Sequence, residues 1–146
     1  MRRKLFTIGY IGRTLDEFID GLLSHGIECL IDTREFPISR KKGFSKSSLK
    51  AELGSAGITY HHFRPLGSPR LVRHQLRETG DYDLFFAEVD KHLGSMEASV
   101  ALSEAITMAR SMTSCLMCCC PDWRYCHRKC LVEAISGRSH FAFRHL

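Results

Sequence analysis

The chain has no sustained apolar run. Its first residues, Met1-Arg2-Arg3-Lys4-Leu5-Phe6-Thr7, pass into glycines and Arg13, and no later stretch approaches the ~20 apolar residues a spanning helix needs. Neither a signal peptide nor a membrane span is therefore expected. Repeats, flexible linkers and low-complexity tracts are also lacking, so residues 1–146 read as one domain. A fully paired disulfide framework is excluded by the odd count of seven cysteines, several of them crowded between Cys118 and Cys130. Reduced thiols and a cytoplasmic location are the expectation, with the cluster metal-binding, redox-active or catalytic. Staples are not needed in any case, because a chain of 146 residues that is 44% hydrophobic should bury roughly 68 to 70% of its unfolded surface. Acidic excess is missing as well: the net charge of +5 favours anionic partners, from phosphorylated small molecules to nucleic acid.

What is present alternates in period. Leu5 to Ile8 reads as a strand ending at Gly9, and Thr14-Leu15-Asp16-Glu17 forms a capping box ahead of Phe18, Ile19, Leu22 and Leu23 at helical spacing. A second strand over Ile27 to Ile31 exits into Asp32-Thr33-Arg34. Ser45 is placed to cap a helix bearing Leu49 and Leu53, and a third strand follows from Ile58 to Phe63. The segment Arg64 to Pro69 is irregular, two helices run from Tyr82 to Leu93 and from about Met96 to Met112, and Cys115 to Cys118 forms a fourth strand. Asp122 is expected to cap a helix carrying Leu131 and Ile135, with Cys126 about one turn inside it, and Phe141 with Phe143 suggests a last strand. This order implies a single three-layer α/β domain, with a mostly parallel sheet of about five strands and helices on both faces. Ligands of such sheets bind beyond the carboxyl ends of the strands, where this chain puts Gly9 to Arg13, Asp32 to Arg34, His62 to Arg64 and the cysteine stretch.

Several of these segments also carry a family likeness. Thr7-Ile8-Gly9-Tyr10, Asp32-Thr33-Arg34, Ser39-Arg40 with Phe44, Tyr60 with His62, Leu66-Gly67, and Cys118 followed by Cys126-His127-Arg128 together resemble the domain-of-unknown-function family 488, DUF488. The resemblance implies a small cytoplasmic α/β protein whose reaction is unassigned. It marks Gly9 and Arg13, Asp32 and Arg34, and Cys118, Cys126, His127 and Arg128 as site residues. This chain departs from the pattern at Cys120, where the family usually has a glutamate, and at Ser68, where a second glycine is common; Cys119 and Cys130 are extra thiols.

Three kinds of chemistry fit those residues. Gly9, Tyr10, Arg13, Arg34 and Arg128 would form an anion site, since guanidinium forks match phosphate and carboxylate geometry; the plainer alternative is that Arg34 pairs with Asp32 to order a loop. Cys126 beside His127, with Asp32 as orienter and Cys118 nearby, would support covalent transfer of an acyl, sulfur or phosphoryl group. Cys118, Cys120, Cys126 and Cys130 offer the soft donors of a zinc, iron or copper site. Cys118 to Arg124 also meets the bare spacing of a cysteine phosphatase loop, but Pro121 removes an amide such a loop requires. The basic run Arg40-Lys41-Lys42 with Lys46 and Lys50 would suit a nucleic-acid backbone, with Phe44 and Tyr60 available for stacking; the plainer alternative is a solvated basic loop. Of His61 and His62, only one can face the site, because neighbours on a strand point to opposite faces. An enzyme, a transferase or hydrolase acting on a phosphorylated or nucleotide-like substrate, is favoured over a metal- or redox-responsive binding protein and over a nucleic-acid module.

Overall fold

The computed structural model describes residues 2–146. Five strands, β1 (Arg3–Gly9), β2 (Cys29–Asp32), β3 (Thr59–His62), β4 (Ser114–Cys118) and β5 (Phe141–His145), form one sheet in the order β3-β2-β4-β1-β5. Every pairing is parallel, so the expectation of a mostly parallel sheet holds in its strictest form. Six helices connect the strands: α1 (Leu15–Ser24), α2 (Lys46–Ser55), α3 (Arg70–Thr79), α4 (Tyr82–Leu93), α5 (Met96–Ser111) and α6 (Arg128–Ser136). No helix among the described residues is long and apolar enough to cross a membrane.

The alternation of side chains along each strand sorts the core into two layers. Phe6, Ile8, Cys115 and Met117 face one side, where Phe18 and Leu22 of α1 and Leu49 and Leu53 of α2 cover them. Leu5, Ile31, Leu116 and Phe141 face the other, beneath Phe85 and Val89 of α4, Leu102 and Ile106 of α5, and Leu131 and Ile135 of α6. Both faces of β2 and β4 are buried, which is why their sequences read as continuous apolar runs instead of alternating ones.

Local chemistry fixes several boundaries. Thr14 Oγ1 accepts from the Glu17 amide at 3.1 Å while the Thr14 amide donates to Glu17 Oε1 at 2.9 Å, closing the expected capping box on α1. Ser45 stands at the start of α2, but its hydroxyl bonds the Ser39 amide and carbonyl, at 3.0 and 3.1 Å, and so ties down the basic loop instead of capping the helix. Two further features depart from the expectation. Arg70–Thr79 is a helix with no fully buried residue, and it packs alongside α4 over the pocket described below. Asp122 accepts from the Arg124 amide and caps a short 3-10 turn, Trp123–Tyr125, so α6 begins only at Arg128 and Cys126 precedes it in extended conformation.

Candidate active site

The geometry of the site begins with β1 and β4. They lie side by side, with Gly9 opposite Cys118, yet β1 continues into α1 on one face of the sheet and β4 leads to α6 on the other. Connections that leave neighbouring strands toward opposite faces open a crevice at the strand ends. The segment Cys119 to Pro121 folds back across that crevice, where Tyr10 and Ile11 donate their amides to the Cys118 and Cys119 carbonyls at 3.2 and 3.1 Å. Gly9 permits this approach: a Cβ there would stand 1.7 Å from the Cys120 carbonyl oxygen. Arg128 then staples the loop from inside, donating Nη2 to the Cys120 carbonyl at 2.7 Å and Nη1 to Thr7 Oγ1 at 3.1 Å.

A cavity of about 430 Å³ opens beside this crevice. Cys118, Cys119, Cys120, Cys126 and His127 line it from the strand ends, Tyr10 and Arg34 from the loops after β1 and β2, and Phe36, Arg73, Arg77, Tyr82 and Tyr125 from the segments around it. Tyr82 and Tyr125 meet edge to face with ring centres 5.3 Å apart, joining α4 to the 3-10 turn.

Four thiols gather at this end of the cavity. Cys118 and Cys126 bring their sulfurs to 2.8 Å, and the sulfurs of Cys118, Cys120 and Cys126 all lie within 4.8 Å of one another. Cys126 also faces His127 Nδ1 at 3.7 Å and receives the Arg128 amide, the first of α6, at 3.5 Å. Burial alone would raise the Cys126 thiol, but hydrogen bonds from Cys118 and Cys120 and the adjacent imidazolium outweigh it and hold it well below the ordinary range. Burial likewise disfavours charge on His127, yet the Cys126 thiolate raises it, so the two groups favour a thiolate–imidazolium pair. Cys118 goes the opposite way: burial and its thiol neighbours push it up and keep its proton on. Cys119 is drawn down to about 3 by Cys118 and Cys120. It has no fixed imidazole or helix amide at its sulfur, so we assign the stable thiolate to Cys126.

His127 is oriented by Thr33 and not by Asp32. Its Nε2 lies 2.9 Å from the Thr33 carbonyl and 3.2 Å from Thr33 Oγ1, whose own proton goes to the Met117 carbonyl. Because a carbonyl only accepts, Nε2 carries a proton, and Nδ1 is the nitrogen left to exchange one with Cys126. Asp32 is occupied elsewhere. It accepts from Arg34 Nε at 2.9 Å, Arg34 Nη2 at 2.7 Å and the Tyr60 hydroxyl, while Arg34 Nη1 donates to the Phe44 carbonyl at 2.7 Å. The buried Arg34 is penalised by desolvation, but the Asp32 carboxylate more than restores its charge and raises it further. Arg34 therefore touches the cavity as a braced wall.

The other expected site residues separate in space. Arg13 donates Nε to the Gly9 carbonyl at 3.2 Å and does not line the cavity; Arg128 is buried behind the thiol loop. Cys130 turns its sulfur to the Phe86 carbonyl at 3.7 Å, in the core beneath α4, and stands apart from the other thiols. Phe44 and Tyr60 are core residues and offer no exposed face for a base to stack on. His62 donates Nε2 to the Arg34 carbonyl at 2.6 Å. Thr33, Arg73, Arg77, Tyr82 and Tyr125 were not marked by the sequence reading; only the adjacency of Thr33 to Asp32 and of Tyr125 to Cys126 hinted at two of them.

The family model for the domain of unknown function DUF488 matches residues 14–135. The chain belongs to the DUF488 family. Comparison with curated proteins and with solved structures finds no match. The matched span of this DUF488 chain includes the cavity's thiols, His127 and Thr33, and the strand-end residues Gly9 to Arg13 lie just before it.

Proposed function

We propose that this DUF488 domain is a thiol-dependent group-transfer enzyme, a transferase or hydrolase, with Cys126 as nucleophile and His127 as its acid–base partner. One observation carries the reading: Cys126 sits against the cavity with His127 Nδ1 at 3.7 Å, while His127 Nε2 is held by the Thr33 carbonyl at 2.9 Å. In the first step, the Cys126 proton resides on His127 Nδ1 and the thiolate attacks an acyl, phosphoryl or sulfur centre. The bond to the leaving group breaks, and the imidazolium returns its proton to that group. Water or a second acceptor then releases the transferred group from sulfur. Arg77, exposed at the cavity and without a hydrogen-bond or ion-pair partner among the described residues, supports an anionic substrate; Arg73 is shared with Glu35 at 3.1 Å. The chemistry requires reduced thiols and hence a reducing compartment such as the cytoplasm.

The test uses p-nitrophenyl acetate as an acyl probe. A burst of one p-nitrophenol per chain, with the acetyl group mapped to Cys126 and lost in Cys126→Ser, is the expected result. Acetylation spread over other thiols with Cys126 untouched would overturn the assignment.

A second reading rests on the trio of sulfurs within 4.8 Å, which suits a soft cation such as zinc or iron with Cys118, Cys120 and Cys126 as donors. Stoichiometric metal in anaerobically purified protein, lost together in the three Cys→Ser variants, would favour it over nucleophilic catalysis.

A further inference from the structure

Cys118 has no task in the group transfer above, yet its sulfur is the atom nearest to the nucleophile among those that bond it. The 2.8 Å between Cys118 and Cys126 needs to shorten by only about 0.8 Å to reach the disulfide bond length of about 2.05 Å. The remaining cysteines are less well placed. Cys119 and Cys120 belong to the loop that folds back over Gly9, with their own sulfurs 4.0 Å apart; Cys130 lies under α4; and Cys29 and Cys115 are packed in opposite core layers. Cys118 is held at the end of β4, and Cys126 by the Arg128 amide at the start of α6, so closing a bond between them leaves both elements in place.

We propose that Cys118 is a resolving thiol and that the pair catalyses thiol–disulfide exchange on low-molecular-mass disulfides entering the cavity. This rests on Cys126 being the nucleophile and names the substrate class of the same site. The Cys126 thiolate attacks one sulfur of a disulfide RSSR; the substrate S–S bond breaks, a Cys126–SR bond forms, and RS⁻ leaves with the proton held on His127. Cys118 then gives up its proton and attacks Cys126 Sγ. The Cys126–SR bond breaks, the Cys118–Cys126 bond forms, and the second RS⁻ takes the proton released by Cys118. The substrate gains two electrons and the protein pair loses them; an excess of thiol or a dithiol partner restores the pair by the reverse steps. A carboxylate on the substrate, within reach of Arg77, would aid its entry.

Oxidised glutathione, a carboxylate-bearing disulfide, provides the probe. Trypsin cuts after Arg124 and Arg128, so Cys126 leaves on Tyr125–Arg128 and Cys118 on Ser111–Arg124, and fragmentation locates the bonded sulfurs. Wild-type protein should release two glutathiones per chain, retain none, and yield those two peptides joined through Cys118 and Cys126. Cys118→Ser should stop at one glutathione on Cys126, and Cys126→Ser should leave Cys118 unmodified. If wild type retains glutathione on Cys126, or joins Cys126 to Cys119 or Cys120, the resolving role of Cys118 is overturned while the nucleophile stands. If Cys126 never reacts, both readings fall. The wild-type map decides the question even where a variant does not fold.

Discussion

Replacing Gly9 by alanine is the smallest change that should disturb the whole site. The added Cβ would meet the Cys120 carbonyl oxygen at 1.7 Å, its carbon at 2.5 Å and Pro121 Cα at 3.1 Å, all of them backbone atoms that cannot rotate away. Restoring ordinary contact at 3.4 Å from a starting 1.7 Å requires the carbonyl to retreat by about 1.7 Å. That movement breaks the 2.7 Å bond from Arg128 Nη2, and Arg128 Nε already lacks a partner among the described residues. Overpacking of this kind costs about 1 to 3 kcal/mol. A lost hydrogen bond to a buried charge adds about 1.5 to 3 kcal/mol. The combined loss of roughly 2.5 to 6 kcal/mol is a large part of the ~5 to 15 kcal/mol typical of a domain, and it should lower the melting temperature by about 8 to 20 °C. Calorimetry measures this directly, and alkylation of Cys120, mapped by mass spectrometry, should rise as the loop lifts from β1. A Gly9→Ala protein melting within about 2 °C of wild type with unchanged Cys120 labelling would refute the close approach on which the site's geometry depends.

Other perturbations probe different parts of the account. Asp32→Asn leaves the Arg34 guanidinium buried without its carboxylate and should destabilise the domain by about 3 to 5 kcal/mol in urea titration; a loss below ~1 kcal/mol would contradict the bracing role. Trp123, the sole tryptophan, stacks on His145 with centroids 3.9 Å apart, and burial followed by the Arg128 charge lowers His145 from its ordinary 6.5. Protonation of His145 should therefore change Trp123 fluorescence with a midpoint below 6.5, and His145→Gln should abolish the transition; a midpoint at or above that value counts against the stacked pair's environment.

The parts of the fold legible in the sequence were those decided by local chemistry and hydrophobic period. Thr14 and Glu17 announced α1, and the unbroken apolar runs of β2 and β4 announced strands buried on both faces. Helix α3 was not legible, because Arg70–Thr79 buries no residue completely and follows two prolines and a glycine. The position of Cys126 was misjudged for a similar reason: Asp122 carries a good capping side chain, but it serves the 3-10 turn Trp123–Tyr125, one step before the helix. Residue type marked Arg34 correctly as unusual, yet its acceptors, Asp32 and the Phe44 carbonyl, and the Tyr60 hydroxyl that braces Asp32 come from three different segments, and only the fold shows how the guanidinium is engaged. The exchange of Asp32 for Thr33 as the orienter of His127 was beyond reach for the same cause, since a backbone carbonyl carries no signature in sequence.

The central claim is that Cys126 is a thiolate at neutral pH, held by His127 and the Arg128 amide. Its lowered value keeps the proton off to lower pH than in an ordinary thiol, and the proton returns only as pH falls through that lowered value, whereas the raised His127 keeps its charge until pH rises through its own. Carboxamidomethylation of Cys126, followed on the Tyr125–Arg128 peptide as a function of pH, reads this most directly. An ordinary thiol with a pKa of about 8.5 slows roughly fiftyfold between pH ~8.5 and ~6.5 as its thiolate fraction falls. The structure predicts a much flatter profile for Cys126 over that range, its inflection moved well to the acid side of an ordinary thiol's, and a profile with its inflection near ~8.5 would contradict it.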